Sequence, residues 1–254
     1  MNFKAYTLFS VALVMVFCCV FCYKSKPKIV QTGDLVVGTS ADYPPYAFID
    51  ITTNTVVGFD VDVAQEITRR MNKKCKIQDT PFLSLILGLL AGDIDIVAAG
   101  ITPTERRAKK VSFSENYLEQ DPLVAVHKKN TIITSLDDLT RLSIVVNTGY
   151  TADLFLDKIP NIHLTKLDSP SEAIMALSSN TVDAFVCAQS SLQKMMQSKK
   201  LDDFSLFIIP DTGDSYALAV NKDRPEFLKE INDALLSMKK DGTLELLQKK
   251  WGLK

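Results

Sequence analysis

The sequence predicts a two-lobed α/β protein. Two observations carry that expectation. Short apolar strands alternate with amphipathic helices in the order β, α, β, α, β, which argues for mostly parallel sheets with helices on both faces. The same order then returns weakly in the second half of the chain, with extended apolar runs between and after the halves.

Leu35–Thr39 reads as the first strand, running into the loop Ser40–Phe48. Pro44 and Pro45 hold this loop out of a helix and present Tyr43, Tyr46 and Phe48, either as a pocket wall or as a plug over a core. Val56–Asp60 leads into a helix over 61–71, with Val63, Ile67 and Met71 at helical spacing. Asp60 and Asp62 read there as first-turn residues that complement the helix dipole. Phe82–Leu90 is an apolar helix expected to be buried on most sides, stopped by Gly92 and followed by the strand Ile94–Ala98.

The stretch Gly100-Ile101-Thr102-Pro103-Thr104-Glu105-Arg106-Arg107 follows that strand. Thr102 is expected to cap a helix, with Pro103 at its first position and Glu105 completing a capping box. A helix N-terminus offers free N–H groups to an anion, and arginines beside it suit a carboxylate or phosphate held bidentately. Two solvated helix arginines near Lys109 and Lys110 are the alternative, and the local pattern leaves both open.

The second unit starts with the strand Leu142–Val146 and the polar loop Asn147–Thr151, followed by helical spacing at Leu154, Phe155 and Ile159. Ser169-Pro170-Ser171-Glu172 is another capping box. Asn180–Asp183 enters the strand Ala184–Cys187 much as Gly92–Asp95 enters Ile96–Val97. Asp121–Val126, with the runs Phe207–Pro210 and Tyr216–Val220, reads as paired crossings between lobes. The expected boundaries are lobe one at 33–121 and 214–254, and lobe two, with the hinge strands, at 122–213. Leu228, Ile231, Leu235 and Met238 mark a C-terminal helix. Ligands of such sheets sit at the carboxyl ends of strands, here across a cleft.

The chain has 254 residues, 23% of them charged, and a formal net charge of -1, which gives no electrostatic footprint for nucleic acid. Residues 1–23 read as a targeting segment: Lys4 precedes an apolar run that Lys24, Lys26 and Lys28 end. It fits a signal peptide, a lipoprotein signal or a membrane anchor. Cys18, Cys19 and Cys22 are candidates for lipidation, although none follows the small residue a lipobox prefers. Cys75 and Cys187 alone do not make a disulfide framework, so the fold must stand on its own core.

Four stretches together resemble the periplasmic polar amino-acid-binding proteins of ABC importers, which are family 3 solute-binding proteins. They are Gly38-Thr39 through Tyr43-Pro44-Pro45-Tyr46; Val57 through Asp62; Gly100-Ile101-Thr102 through Glu105-Arg106-Arg107; and Asp241-Gly242-Thr243 through Lys250-Trp251-Gly252. The resemblance spans about Gly33 to Gly252. It implies the hinged type II periplasmic-binding-protein fold, a monomer outside the cytoplasm, an amino-acid ligand, an inner-membrane ABC permease as partner, and no cofactor or metal. It places the carboxylate-clamping arginine on Arg107. Thr102 and the helix end at Thr151 join that clamp, and Gly100 offers a carbonyl to the ligand ammonium. Tyr43 and Phe82 fall on aromatic pocket positions, with Tyr46 beside them, and Asn147 on a position that varies with ligand.

Two departures bear on the ligand. Ala188, followed by Gln189, stands where the family commonly has an aspartate for the ammonium, and Ser40 stands where an acid often meets a basic side chain. A buried unpaired ammonium would cost several kcal/mol. Either Asp42, Glu119 or Asp214 serves instead, or Gln189 and carbonyls suffice, or the ligand is not a standard α-amino acid. On this ground neutral polar ligands such as glutamine or cystine are expected ahead of basic ones. An enzyme on the same fold, acting on a cyclic carboxylic acid, is the competing class, as is a ligand sensor. His127 and His163 are the only histidines, and no nucleophile–base pair or metal-ligand spacing is visible, so no enzyme is expected.

Overall fold

The computed structural model describes residues 34–195 and 203–254. The targeting segment over 1–23, with Cys18, Cys19 and Cys22, lies outside the described residues. Among the described residues no helix is long and apolar enough to cross a membrane, and Cys75 and Cys187 are free thiols.

In chain order the elements are β1 (Leu35–Thr39), β2 (Asp42–Tyr43), β3 (Ala47–Asp50), β4 (Thr55–Val57), α1 (Phe59–Arg70), β5 (Cys75–Asp79), α2 (Phe82–Ala91), β6 (Ile96–Val97), α3 (Glu105–Ala108), β7 (Val111–Phe113), β8 (Leu118–Asp121) and β9 (Leu123–Lys128). A 3₁₀ turn over Leu136–Arg141 leads to β10 (Ser143–Asn147), α4 (Thr151–Leu156), β11 (His163–Leu167), α5 (Pro170–Ser178), β12 (Ala184–Ala188), α6 (Gln189–Met195), β13 (Phe204–Ile208), β14 (Asp214–Tyr216), β15 (Ala219–Asn221), α7 (Pro225–Lys240) and α8 (Thr243–Trp251).

The strands form two similar five-stranded sheets, ordered β5-β1-β6-β15-β7 and β11-β10-β12-β9-β13. In each sheet the first three strands run parallel and the next is antiparallel. The expected internal repeat has a physical counterpart. The Asp95 carboxylate accepts from Val36 N and Asp95 N donates back to Val36 O, both at 2.8 Å. Asp183 makes the same exchange with Ser143 N and O, again at 2.8 Å. In both lobes an acid entering the third parallel strand thus pins the start of the first.

The crossings are not the apolar runs themselves. Leu123–Lys128 and Phe204–Ile208 pair inside the second sheet as β9 and β13. The antiparallel ribbon between the lobes is built from the flanking β8 and β14, with Asp121 opposite Asp214.

Helix boundaries follow their caps. α5 begins as expected: Ser169 Oγ accepts from Glu172 N, the Glu172 carboxylate accepts from Ser169 N, and Pro170 sits in the first turn. Thr102 does not cap a helix. The cap of α3 is Thr104, whose Oγ1 accepts from Arg107 N, and the helix is a single turn. α2 is also less buried than its composition suggests. Only Leu85 and Leu89 are buried, while Leu83, Leu87 and Leu90 face outward. Its N-terminal end lies against the second lobe, so part of that apolar surface belongs to the cleft.

Lobe one's core joins Val37, Phe59, Ile67 and Ile96 with Ile231, Leu235 and Met238 of α7. Lobe two has apolar clusters on both faces of its sheet, around Ile144 and Val186 on one side and Phe185 and Val126 on the other. Each such side chain stabilises the fold by about 1.5–3 kcal/mol when fully buried. Both lobes therefore hold their strand ends rigidly where the loops meet.

Candidate ligand-binding cleft

The loops that carry the expected site residues leave the carboxyl ends of parallel strands: Ser40 after β1, Gly100 and Thr102 after β6, Thr151 after β10, and Gln189 after β12. Strand ends of this kind are where open α/β sheets bind ligands.

Arg107 is buried while Arg106 is exposed. Arg107 Nη1 donates to the Thr102 carbonyl at 2.8 Å, and Nη2 donates across the lobes to the Gly149 carbonyl at 3.0 Å. The guanidinium carbon lies 5.2 Å from the centre of the Phe82 ring. Burial pulls its pKa down to about 10, against the opposing pull of the Asp214 charge. Arg107 therefore stays protonated at neutral pH.

Two hydroxyls near this guanidinium are buried: Tyr150 Oη has no hydrogen-bond partner, and Thr102 Oγ1 lies toward the Asp214 carboxylate. A buried polar group left unpaired costs about 1–3 kcal/mol. The Tyr150 ring sits 4.4 Å from Phe82 and 5.6 Å from Tyr43. A cavity of about 200 Å³ opens on Arg107, walled by Phe82, Leu83, Ile101, Gly149 and Leu154. Gly149 has φ +76°, a conformation that favours glycine, and a Cβ there would lie 2.7 Å from Leu83 Cδ2, so α2 approaches lobe two closely at this point.

Gly100 is set by a residue that sequence reasoning assigned a lesser role. Asp60 does stand in the first turn of α1, but not only to complement its dipole. It is fully buried, accepts from Gly100 N, and takes the Tyr117 hydroxyl at 2.8 Å. Burial raises its pKa to about 6 even though both donors favour the anion. Asp62, one turn face away, is a surface partner of Lys250 and Trp251.

The hinge ribbon supplies two more buried acids. Asp121, which sequence reasoning missed, accepts from Ser190 N at 3.0 Å, the Tyr216 hydroxyl at 2.9 Å, the Tyr46 hydroxyl at 3.2 Å, and Ser190 Oγ. Asp214 accepts from Thr151 Oγ1 at 2.5 Å. Its pKa is raised to about 6, first by burial and further by the Asp121 charge; Thr151, Thr102 and Arg107 pull the other way. Of the three acids considered from sequence, Asp214 is buried in the cleft and Glu119 is exposed. Asp42 is half-buried, with its pKa raised by burial against a 2.7 Å bond from Ser40 Oγ.

The remaining expected residues divide. Tyr43 stacks on Tyr46 at 5.4 Å, and Tyr46 is wholly buried, its hydroxyl spent on the hinge. Phe48 turns away and packs on Trp251. Asn147 is buried and donates to the Leu167 carbonyl at 3.3 Å. Gln189 N caps onto the Pro122 carbonyl at 2.9 Å, and Ser190, its neighbour, makes the contact with Asp121. His127 is buried in β9 with Nδ1 on the Lys128 carbonyl, remote from these groups in bonding.

Residues 35–254 match the model of the bacterial extracellular solute-binding proteins, family 3. The chain belongs to that family. The arginine-binding extracellular protein ArtP of Bacillus subtilis (strain 168) is 31% identical over 256 residues, spanning 98% of each chain. The ABC transporter glutamine-binding protein GlnH of the same organism is 30% identical over 228 residues, 88% of this chain and 82% of the relative. A solved structure of an ancestral arginine-binding protein bound to arginine has a TM-score of 0.80 and 36% identity, covering 86% of this chain and 98% of that one. The two-lobed α/β fold is therefore the family's own. These relatives are binding proteins, and this family 3 chain is a receptor and not an enzyme.

Proposed function

We propose that the protein is the extracytoplasmic receptor of an ABC importer and captures a free amino acid between its lobes. The observation that carries this reading is the buried, charged Arg107 flanked by the buried Thr102 hydroxyl and the partnerless Tyr150 hydroxyl. Arg107, Thr102 and the start of α4 at Thr151 grip the ligand carboxylate. Charge-assisted hydrogen bonds of about 1.5–3 kcal/mol each account for micromolar capture, about -8 kcal/mol. Tyr43, Phe82 and Tyr150 cover the ligand body, and the Gly100 carbonyl with the hinge acids receives the ammonium. Residues 1–23 serve export, and the closed lobes dock on the permease.

The ligand we favour is a basic amino acid. Ser40 and Ala188 lack the acids that would meet positive charge, but Asp121 and Asp214 pair as two buried carboxylates on the hinge ribbon, and Asp214 feels the Arg107 charge. The arginine-binding relatives agree with this choice. A neutral polar ligand such as glutamine or cystine is the second reading, favoured by those same uncharged positions and by the glutamine-binding relative. Thermal-shift screening of the purified protein against all amino acids and cystine separates them. A shift with arginine or lysine larger than with glutamine or cystine supports the first reading; the reverse order supports the second. No shift with any amino acid sinks both.

A further inference from the structure

Asp214 and Asp121 face each other as register partners on the β8/β14 ribbon. Residues directly opposite in an antiparallel pair share a face, and like charges so placed repel. The two are served unequally. Asp121 takes four donor contacts from Ser190, Tyr46 and Tyr216, whereas Asp214 takes two, from the Thr151 and Thr102 hydroxyls. The groups whose charge reaches Asp214 are Arg107 from α3, Asp121 from β8, the Tyr43 phenol from β2 and the Tyr216 phenol on its own strand.

Arg107, Asp121 and Asp214 are 7%, 6% and 7% exposed, so all three charges lie in nearly dry surroundings. With both acids ionised, the trio carries one net negative charge. A zwitterionic neutral amino acid adds nothing to that sum. A cationic amino acid cancels it. An uncompensated buried charge is costly enough that a titratable group neutralises instead. Asp214, with the fewest donors, is the group placed to take the proton.

We infer that Asp214 is the specificity-determining residue of the cleft: it admits a cationic amino acid without proton exchange and a neutral one only together with a proton on its own carboxylate. This inference rests on the amino-acid-receptor reading. The proton comes from solvent and sits on a carboxylate oxygen of Asp214, so the neutral complex closes with its buried charges balanced.

Calorimetry of arginine and of glutamine binding to the purified protein, at pH 7.5 in phosphate and in Tris, reads the proton directly. Glutamine binding is expected to take up close to one proton and arginine binding none. By linkage, the glutamine Kd then falls about tenfold per pH unit from pH 8 to pH 7, while the arginine Kd stays flat. In Asp214→Asn the uptake disappears, and the preference for arginine over glutamine drops about tenfold or more. Equal proton uptake for both ligands in the wild type overturns the inference and leaves the receptor reading standing. So does an unchanged preference in a folded Asp214→Asn. If the wild type binds no amino acid, both fall. The two-buffer comparison on the wild type decides the matter even if the variant does not fold.

Discussion

The Asp60 carboxylate accepts the backbone N–H of Gly100, which ties the first turn of α1 to the loop after β6. The same carboxylate takes the Tyr117 hydroxyl, so one buried anion holds the loop after β6 against the core. Burial raises the Asp60 pKa to about 6, from an unfolded value of about 3.9. Between those values the folded state holds a proton that the unfolded state has released. The stability this group contributes is therefore full in acid and lost as pH rises through about 6. Asp214 has the same sign. Glu66, Asp138 and Asp241 have lowered values and act the opposite way, in more acidic solution. Urea unfolding should show the protein gaining about 1 kcal/mol from Asp60 between pH 7 and pH 5. In Asp60→Asn that gain should shrink, and an undiminished gain would remove Asp60 from the account.

Gly100→Ala tests the loop itself. The residue has φ +53°, and an added Cβ would sit 2.9 Å from Tyr43 Cε1. The left-handed backbone alone costs a non-glycine residue about 1–2 kcal/mol. The Tyr43 ring must also shift out of its stack on Tyr46. A lowered melting temperature with amino-acid affinity reduced at least tenfold is expected. Full affinity in calorimetry would show that Gly100 does not shape the site.

Asp121→Ala should be among the most damaging single changes in the hinge. It strands the Tyr216 hydroxyl and the Ser190 N–H in a buried place, while the Tyr46 hydroxyl keeps Ser190 Oγ. Each unpaired group costs about 1–3 kcal/mol, so a loss of about 3 kcal/mol or more is expected in urea. Tyr46→Phe, which removes one donor from a carboxylate that keeps the others, should cost only about 1 kcal/mol.

The repeated acid offers an internal comparison. Asp95 is 3% exposed and also holds Arg224 at 2.6 Å, whereas Asp183 is exposed. Asp95→Ala leaves Val36 N unpaired in a nearly buried setting and should cost about 2–3 kcal/mol. Asp183→Ala should cost below about 1 kcal/mol, because water replaces the carboxylate. Equal losses in denaturant unfolding would mean that burial does not govern this device.

Local signals in the sequence carry much of the fold. The capping box at Ser169 and Glu172 sets a helix start because its partners are three residues apart. The likeness of Asp95 to Asp183 is legible because both acids serve the same local geometry. Thr102 misled for the same reason: two threonines can cap α3, and only the packing of the loop selects Thr104. The hinge acids were the hardest to read. Asp121 and Tyr216, which it binds, lie 95 residues apart, and no spacing rule joins strands from opposite ends of a lobe. The amphipathic pattern placed Asp60 on a polar helix start, although the approach of Gly100 makes it a buried partner. The apolar α2 looked wholly buried because composition alone does not show which of its leucines face the cleft.

Calorimetric titration of wild-type protein and of Arg107→Ala with arginine, alongside circular dichroism to show that the variant is folded, tests whether Arg107 holds the ligand. Micromolar binding by the wild type and no measurable binding by the folded variant are expected. Wild-type affinity in Arg107→Ala would contradict that role.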